Sequence, residues 1–235
     1  MKSLKSYIQE KLIIKKSIAK NNNIRYNYFP ETKEELQNII KQRIKEEGDK
    51  VDLNDIDVSN ITDMSELFTQ TNFNGDISSW DVSNVTNMSF MFYNCKKFNQ
   101  DISEWDVSNV TNMSYMFSKC KSFNKDISEW DVSKVKTMMN MFSGCVAFNQ
   151  DISEWDVSNV TNMSCMFYGC KKLESVGDIS SWDVSNVTDM SFMFYDCKEL
   201  ESVGDISDWN VSNVRNKDIM FLYCPIKDEY KPEFK

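Results

Sequence analysis

Three kinds of side chain here are able to do chemistry, and all recur on one spacing. Six of the seven cysteines, Cys95, Cys120, Cys145, Cys170, Cys197 and Cys224, stand in one register, and only Cys165 is out of step. A thiol supplies a nucleophile, a metal ligand or half a disulfide. Carboxylates form two further series: Asp76, Asp101, Asp126, Asp151, Asp178 and Asp205, then Asp81, Asp106, Asp131, Asp156 and Asp183. Paired carboxylates do acid–base work, and stacked ones hold calcium. All six tryptophans, Trp80, Trp105, Trp130, Trp155, Trp182 and Trp209, form a fourth series, and aromatic ladders stack sugars or bases.

Each of these chemistries meets an objection in the sequence. There is no histidine, which removes Cys–His and Ser–His nucleophile pairs and His-ligated zinc. The cysteine spacing matches no zinc motif, because ligands must converge on one point. Stacked copies would bring their Cα atoms within disulfide reach of roughly 5 Å, but with parallel Cβ vectors that oppose bridging. They read as reduced, buried small hydrophobes of a reducing compartment. Acid and base roles need two carboxylates in different environments, whereas a ladder gives every member the same one. Stacked carboxylates repel by about 1 kcal/mol per pair in water. Either calcium offsets this, or each carboxylate accepts backbone N–H bonds in its own turn. The second reading is preferred, since neither series carries the glycines of tight calcium-binding turns. The Asn60, Asn84, Asn109, Asn159, Asn186 and Asn213 series reads in the same way, as bonded to turn backbone. No catalytic residue, metal site or cofactor is expected.

Something must place these columns. The phrase beginning at Asp57, Asp81, Asp106, Asp131, Asp156, Asp183 and Asn210 recurs every 24 to 27 residues. A fixed period of this size is the mark of a solenoid whose units bury their apolar faces only against neighbours. Met88, Met91, Phe92 and Cys95 fall at i, i+3, i+4 and i+7, one face of a short helix, with Thr86 as its N-cap. Phe98 and Ile102 suit a short buried strand, parallel to its copies in adjacent coils. The expectation is an α/β repeat: one short strand and one short helix per coil. The methionine columns (Met64 to Met190, Met91 to Met220) and the phenylalanine column (Phe68 to Phe221) fill its narrow interior.

The stretch Trp80–Trp105, WDVSNVTNMSFMFYNCKKFNQDISEW, resembles the repeat of bacterial surface proteins in the BspA-like leucine-rich-repeat group, over about residues 57–224. The resemblance implies a right-handed, leucine-rich-repeat-like solenoid and a non-catalytic role in binding or adhesion. It supplies no catalytic residue.

The ends differ from the array. Residues 24–56 read as an α+β N-terminal cap: a strand in IRYNYF, then a helix over 31–48 capped by Thr32 and Glu35 and closed by Gly48. Residues 225–235 read as a C-terminal tail. Residues 1–23 stand apart, with six lysines against one acid in the first twenty. There Leu4, Ile8, Leu12 and Ile18 suggest an amphipathic helix, either an extra cap or a docking peptide. The segment resembles targeting peptides of proteins packaged in phage heads, which makes a virion component or packaged cargo the alternative to a binding module or adhesin-type binder.

The net charge is −9, with +5 on residues 1–50 and therefore −14 on the rest. That argues against a nucleic-acid binder, because phosphates demand a basic surface. No apolar run spans a bilayer and no secretory signal stands at the start, so a cytoplasmic or virion location is expected. A protein partner is the expected ligand. Contact residues should be those the stack does not dictate: Phe90, Tyr93, Tyr115, Tyr168, Phe192 and Tyr195, as an outward aromatic stripe, and Lys134 and Lys136 where the middle repeat departs from the pattern.

Overall fold

The computed structural model describes residues 26–234. Leu4, Ile8, Leu12 and Ile18, with the rest of the proposed docking segment, lie outside the described residues.

Among the described residues one α-helix is present, α1 at Lys33–Glu47. Its ends follow local chemistry. The Thr32 hydroxyl accepts the Glu35 N–H, and the Glu35 carboxylate accepts the Glu31 N–H at 2.7 Å. Glu34 and Glu35 sit at the positive end of the helix dipole and Lys45 at the negative end. Gly48, at φ 90°, closes the helix with its N–H on the Ile44 carbonyl. Leu36 and Ile40 are fully buried, and Ile39 and Ile44 pack partly against the same core. Lys33 reaches Asp63 and Ser65, which fixes α1 over the first coil. Of the strand expected at IRYNYF, the described residues 26–29 carry a single parallel bridge, Tyr28 to Ile56.

Beyond α1 the α/β expectation fails. Among the described residues helix accounts for 9% and strand for 4%, with no sheet. The only other helical element among the described residues is a 3-10 turn, Asp228–Tyr230. The coils are built from turns. From Met88 to Cys95, alternate N–H groups leave the coil: Met88, Phe90, Phe92 and Asn94 donate to the carbonyls of Asn112, Ser114, Met116 and Ser118 at 2.7–3.0 Å. The residues between turn inward, with Met91, Tyr93 and Cys95 donating to the carbonyls of Met88, Phe90 and Phe92, three residues back. Phe90 and Asn94 have φ of 57° and 58°, and every coil repeats this left-handed pair, from Glu66 and Gln70 to Ile219 and Tyr223.

The physical reason lies in the donors. An eight-residue helix is marginal in water and leaves its first four N–H groups without partners of its own. The turn segment divides its donors between closing its own bends and tying coil to coil. The left-handed residues forbid a helix. Consecutive bends nevertheless keep the three- and four-residue recurrence of inward side chains. Met88, Met91, Phe92 and Cys95 are fully buried, as a helix would have had them. Thr86 caps nothing; its N–H and hydroxyl both donate to the Thr62 carbonyl of the preceding coil.

The expected strand at Phe98–Ile102 is also absent. Both side chains are buried, but the Asn99 N–H bonds the Asn74 side chain at 2.8 Å instead of a neighbouring strand. Parallel pairing occurs elsewhere, as isolated bridges linking Asp63, Asn87, Asn112, Thr137, Asn162, Asp189 and Asn216, one residue per coil. The core runs along this ladder. Rings of Phe68, Phe92, Phe117, Phe142, Phe167, Phe194 and Phe221 stack with centroids 5.4–5.8 Å apart.

Candidate functional site

The thiols of the cysteine column are absorbed by the stack. Cys120 Sγ donates to the Phe92 carbonyl at 2.8 Å, Cys145 to Phe117 at 2.7 Å, Cys170 to Phe142 at 3.0 Å and Cys197 to Phe167 at 3.1 Å. All seven cysteines are free thiols. Burial pushes Cys95 up to about 11 and Cys170 up to about 12, the opposite of an activated nucleophile.

The tryptophans do the same with nitrogen. Nε1 of Trp105, Trp130 and Trp155 donates to the carbonyls of Ile77, Ile102 and Ile127, each at 3.1 Å. The indoles are 3–6% exposed; Trp80 and Trp105, and Trp182 and Trp209, stack at 6.5 Å, and Trp80, Trp105, Trp130 and Trp155 lie 5.9–6.4 Å from rings of the Phe column.

The carboxylate columns close their own turns. Asp101, Asp126, Asp151 and Asp178 accept the N–H of the serine two residues on, at 2.9–3.1 Å, and Asp81, Asp106, Asp131 and Asp156 do likewise. Those N–H bonds hold Asp101 and Asp126 below the usual carboxylate range. Among the described residues no three Cys, Asp or Glu side chains are grouped to hold a metal ion.

The asparagine column behaves differently from expectation. Nδ2 of Asn84, Asn109, Asn159, Asn186 and Asn213 donates to a serine carbonyl in the preceding coil, at 2.7–2.9 Å, and not to its own turn. Lys134 occupies this column in the middle coil, and its Nζ reaches the Asn109 side chain at 2.7 Å. Lys136 extends the neighbouring main-chain ladder, donating to Thr111 and accepting from Thr161. Both lysine side chains are exposed, but neither joins an aromatic patch.

The aromatic residues gather in two patches instead of one stripe. In the first, Phe90 and Tyr115 stack at 4.4 Å, with Tyr93 edge-on to both. Lys119 Nζ lies 5.1 Å over the Tyr93 ring and 2.9 Å from its hydroxyl. In the second, Tyr168 and Tyr195 stack at 4.9 Å, Phe192 stands edge-on to Tyr195 at 5.9 Å, and Tyr223 joins at 5.7 Å. The polar residues Asn140 and Ser143 occupy the same columns between the patches. The rings are half-buried by one another, except Tyr168 at 39% exposed and Tyr223, which is more exposed still. Ile219, Leu222 and Tyr223 were not singled out from the sequence, yet they are 47, 45 and 61% exposed. They continue the columns of the second patch, and the end of the array leaves them uncovered; their register with Phe192, Tyr195 and Asp196 is the signal that identifies them.

Among the described residues no helix is long and apolar enough to cross a membrane. Comparison with curated proteins and with solved structures gives no match. One family model, described as "Mycoplasma protein of unknown function, DUF285", matches twice in overlapping windows, residues 34–152 and 123–229, as a model fitted to a repeat does on a chain with copies to spare. With both windows running from α1 to the last coil, the chain belongs to the DUF285 family.

Proposed function

We propose that the chain is a non-catalytic repeat scaffold that binds a protein partner through its aromatic patches. One observation carries this reading: the stack itself consumes the thiols, indole N–H groups and turn carboxylates, and what remains unspent is aromatic surface. Half-exposed tyrosines give large contact area at small entropic cost, which suits protein recognition. The resemblance to BspA-like repeats supports an adhesin-type version of the same role.

The test compares the unmodified chain with a Tyr168→Ser/Tyr195→Ser variant, each immobilised and exposed to extract of the source cells. Loss of two half-buried rings should lower the melting temperature by only about 2–8 °C and remove a specific bound protein. A Lys121→Ser control should retain it. Identical recoveries from all three would dispose of the reading.

A further inference from the structure

Every coil in this chain presents a row of N–H donors to the next. The row on the last coil, at Lys217, Ile219, Phe221 and Tyr223, has no hydrogen-bond partner among the described residues. The equivalent row one coil earlier, at Met190, Phe192, Phe194 and Asp196, is covered by the carbonyls of Asn216, Asp218, Met220 and Leu222 at 2.8–2.9 Å. The C-terminal tail ties to this end without covering the last coil's donors: the Ile206 N–H donates to the Tyr230 carbonyl, Lys217 Nζ lies 5.0 Å over the Phe234 ring and Lys231 Nζ 5.2 Å over the Phe221 ring. Exposed apolar surface also concentrates here. Of the four large hydrophobic residues exposed among the described residues, Ile219, Leu222 and Tyr223 lie on this edge and Tyr168 lies on the adjoining patch.

We infer that the Lys217–Tyr223 edge docks a polypeptide segment of the protein partner, which extends the stack by one coil. The segment supplies carbonyl oxygens from alternate residues and lays apolar side chains over Ile219, Leu222 and Tyr223. This rests on the protein-binding reading and specifies how the second patch is used. The rule for the occupant is written six times inside the chain, where each donor row receives alternate carbonyls of a turn segment. A second copy does not meet that rule. Two such edges face each other donor to donor. The complementary carbonyl row is on the first coil, where α1 lies, held by Lys33 on Asp63 and Ser65 and by buried Leu36 and Ile40. Recognition by adding backbone to an open edge needs the partner's main chain for affinity and its side chains for selectivity.

The test uses isotopically labelled full-length chain and a synthetic peptide of residues 109–121 carrying Cys120→Ser, which presents the carbonyls of Asn112 to Ser118. The amide signals of Lys217, Ile219, Phe221 and Tyr223 should shift together, and their hydrogen exchange should slow about tenfold or more at saturation. An Ile219→Asp/Leu222→Asp variant alters only exposed side chains, so it should fold and should bind the peptide about tenfold more weakly or worse. Tyr93→Ser/Tyr115→Ser, in the distant first patch, should leave peptide binding unchanged, which separates this edge from the aromatic reading as a whole. No shift at millimolar peptide, shifts confined to Tyr168 and Tyr195, or an equal response to a scrambled peptide would overturn the inference.

Discussion

Cys120 illustrates how a reactive residue type becomes a structural one. Its thiol is fully buried, donates to the Phe92 carbonyl, and is held well above the ordinary thiol range by burial first and by neighbouring Cys95 second. Accessibility then divides the thiols, at Cys165 outside the column and at Cys224 at its end. Cys165 and Cys224 are only half-buried, so they alone should react with an aromatic disulfide reagent at pH 8 in the folded state. The other five should appear only on denaturation; fast labelling of five or more thiols in native protein would contradict the stack. Asp131 makes a second residue-scale case, because its carboxylate accepts the Ser133 N–H at 3.0 Å. Asp131→Ala should cost about 0.5–1 kcal/mol, at the low end for a hydrogen bond because the group is exposed. Asp131→Asn should cost little, since Asn210 closes the corresponding turn by accepting the Ser212 N–H at 3.3 Å. Urea midpoints of the two variants decide this, and equal losses would mean that charge, not acceptance, matters there.

The coil is the element, and its left-handed pair is what the helical reading could not accommodate. At the second position of the pair the chain carries Asn94, Lys119 and Asp196 in some coils and Gly144 and Gly169 in others, all at φ between 58° and 70°. Space is not the constraint at Gly144, where an added Cβ would meet Lys119 atoms no nearer than 3.6 Å. The backbone is. Gly144→Val should therefore destabilise by about 1–2 kcal/mol and Gly144→Asn by less than half of that. Chemical denaturation of both measures the difference. If valine were tolerated as well as asparagine, the left-handed conformation, and with it the turn-built coil, would be wrong. The periodicity of Met88, Met91, Phe92 and Cys95 gave the right inward face and the wrong element, because a run of bends and a helix both return to one side every three to four residues. Thr86 and the Asn84 column were misassigned for a related reason. Their polar groups find partners in the adjacent coil, a direction that one coil read alone does not contain.

At the scale of the molecule, stability is a sum over contacts between neighbouring coils, and many of the turns within each coil depend on ionised aspartates. For Asp76, Asp101, Asp126 and Asp131, hydrogen bonds in their own turns, with serine N–H or hydroxyl donors, depress the folded pKa below the unfolded value. The unfolded chain therefore binds more protons in that range. The aspartates' contribution is full above the unfolded carboxylate value of about 3.9 and is lost as pH falls through the lower folded values. Melting temperature should hold between pH 7 and 5 and drop progressively below about pH 4. A melting temperature independent of pH down to 3 would show that the turns do not need the charge.

Residue type and spacing identified the period, the inward columns, the reduced cysteines, the own-turn aspartates and the helix at the N-terminal end. Each of those depends on side-chain type and spacing, which the letters state directly. The α1 caps were legible for the same reason, as Thr32, Glu35 and Gly48 act within one turn of the chain. What the tertiary structure decided was where each backbone donor goes. A segment such as Met88–Cys95 can satisfy its N–H groups inside itself or hand every second one to the coil beside it, and both choices bury the same residues. The presence of a neighbouring coil with carbonyls in register selects the second. The same fact leaves the last coil with donors and no neighbour, which is why the uncovered edge at Lys217–Tyr223 became visible only in the fold.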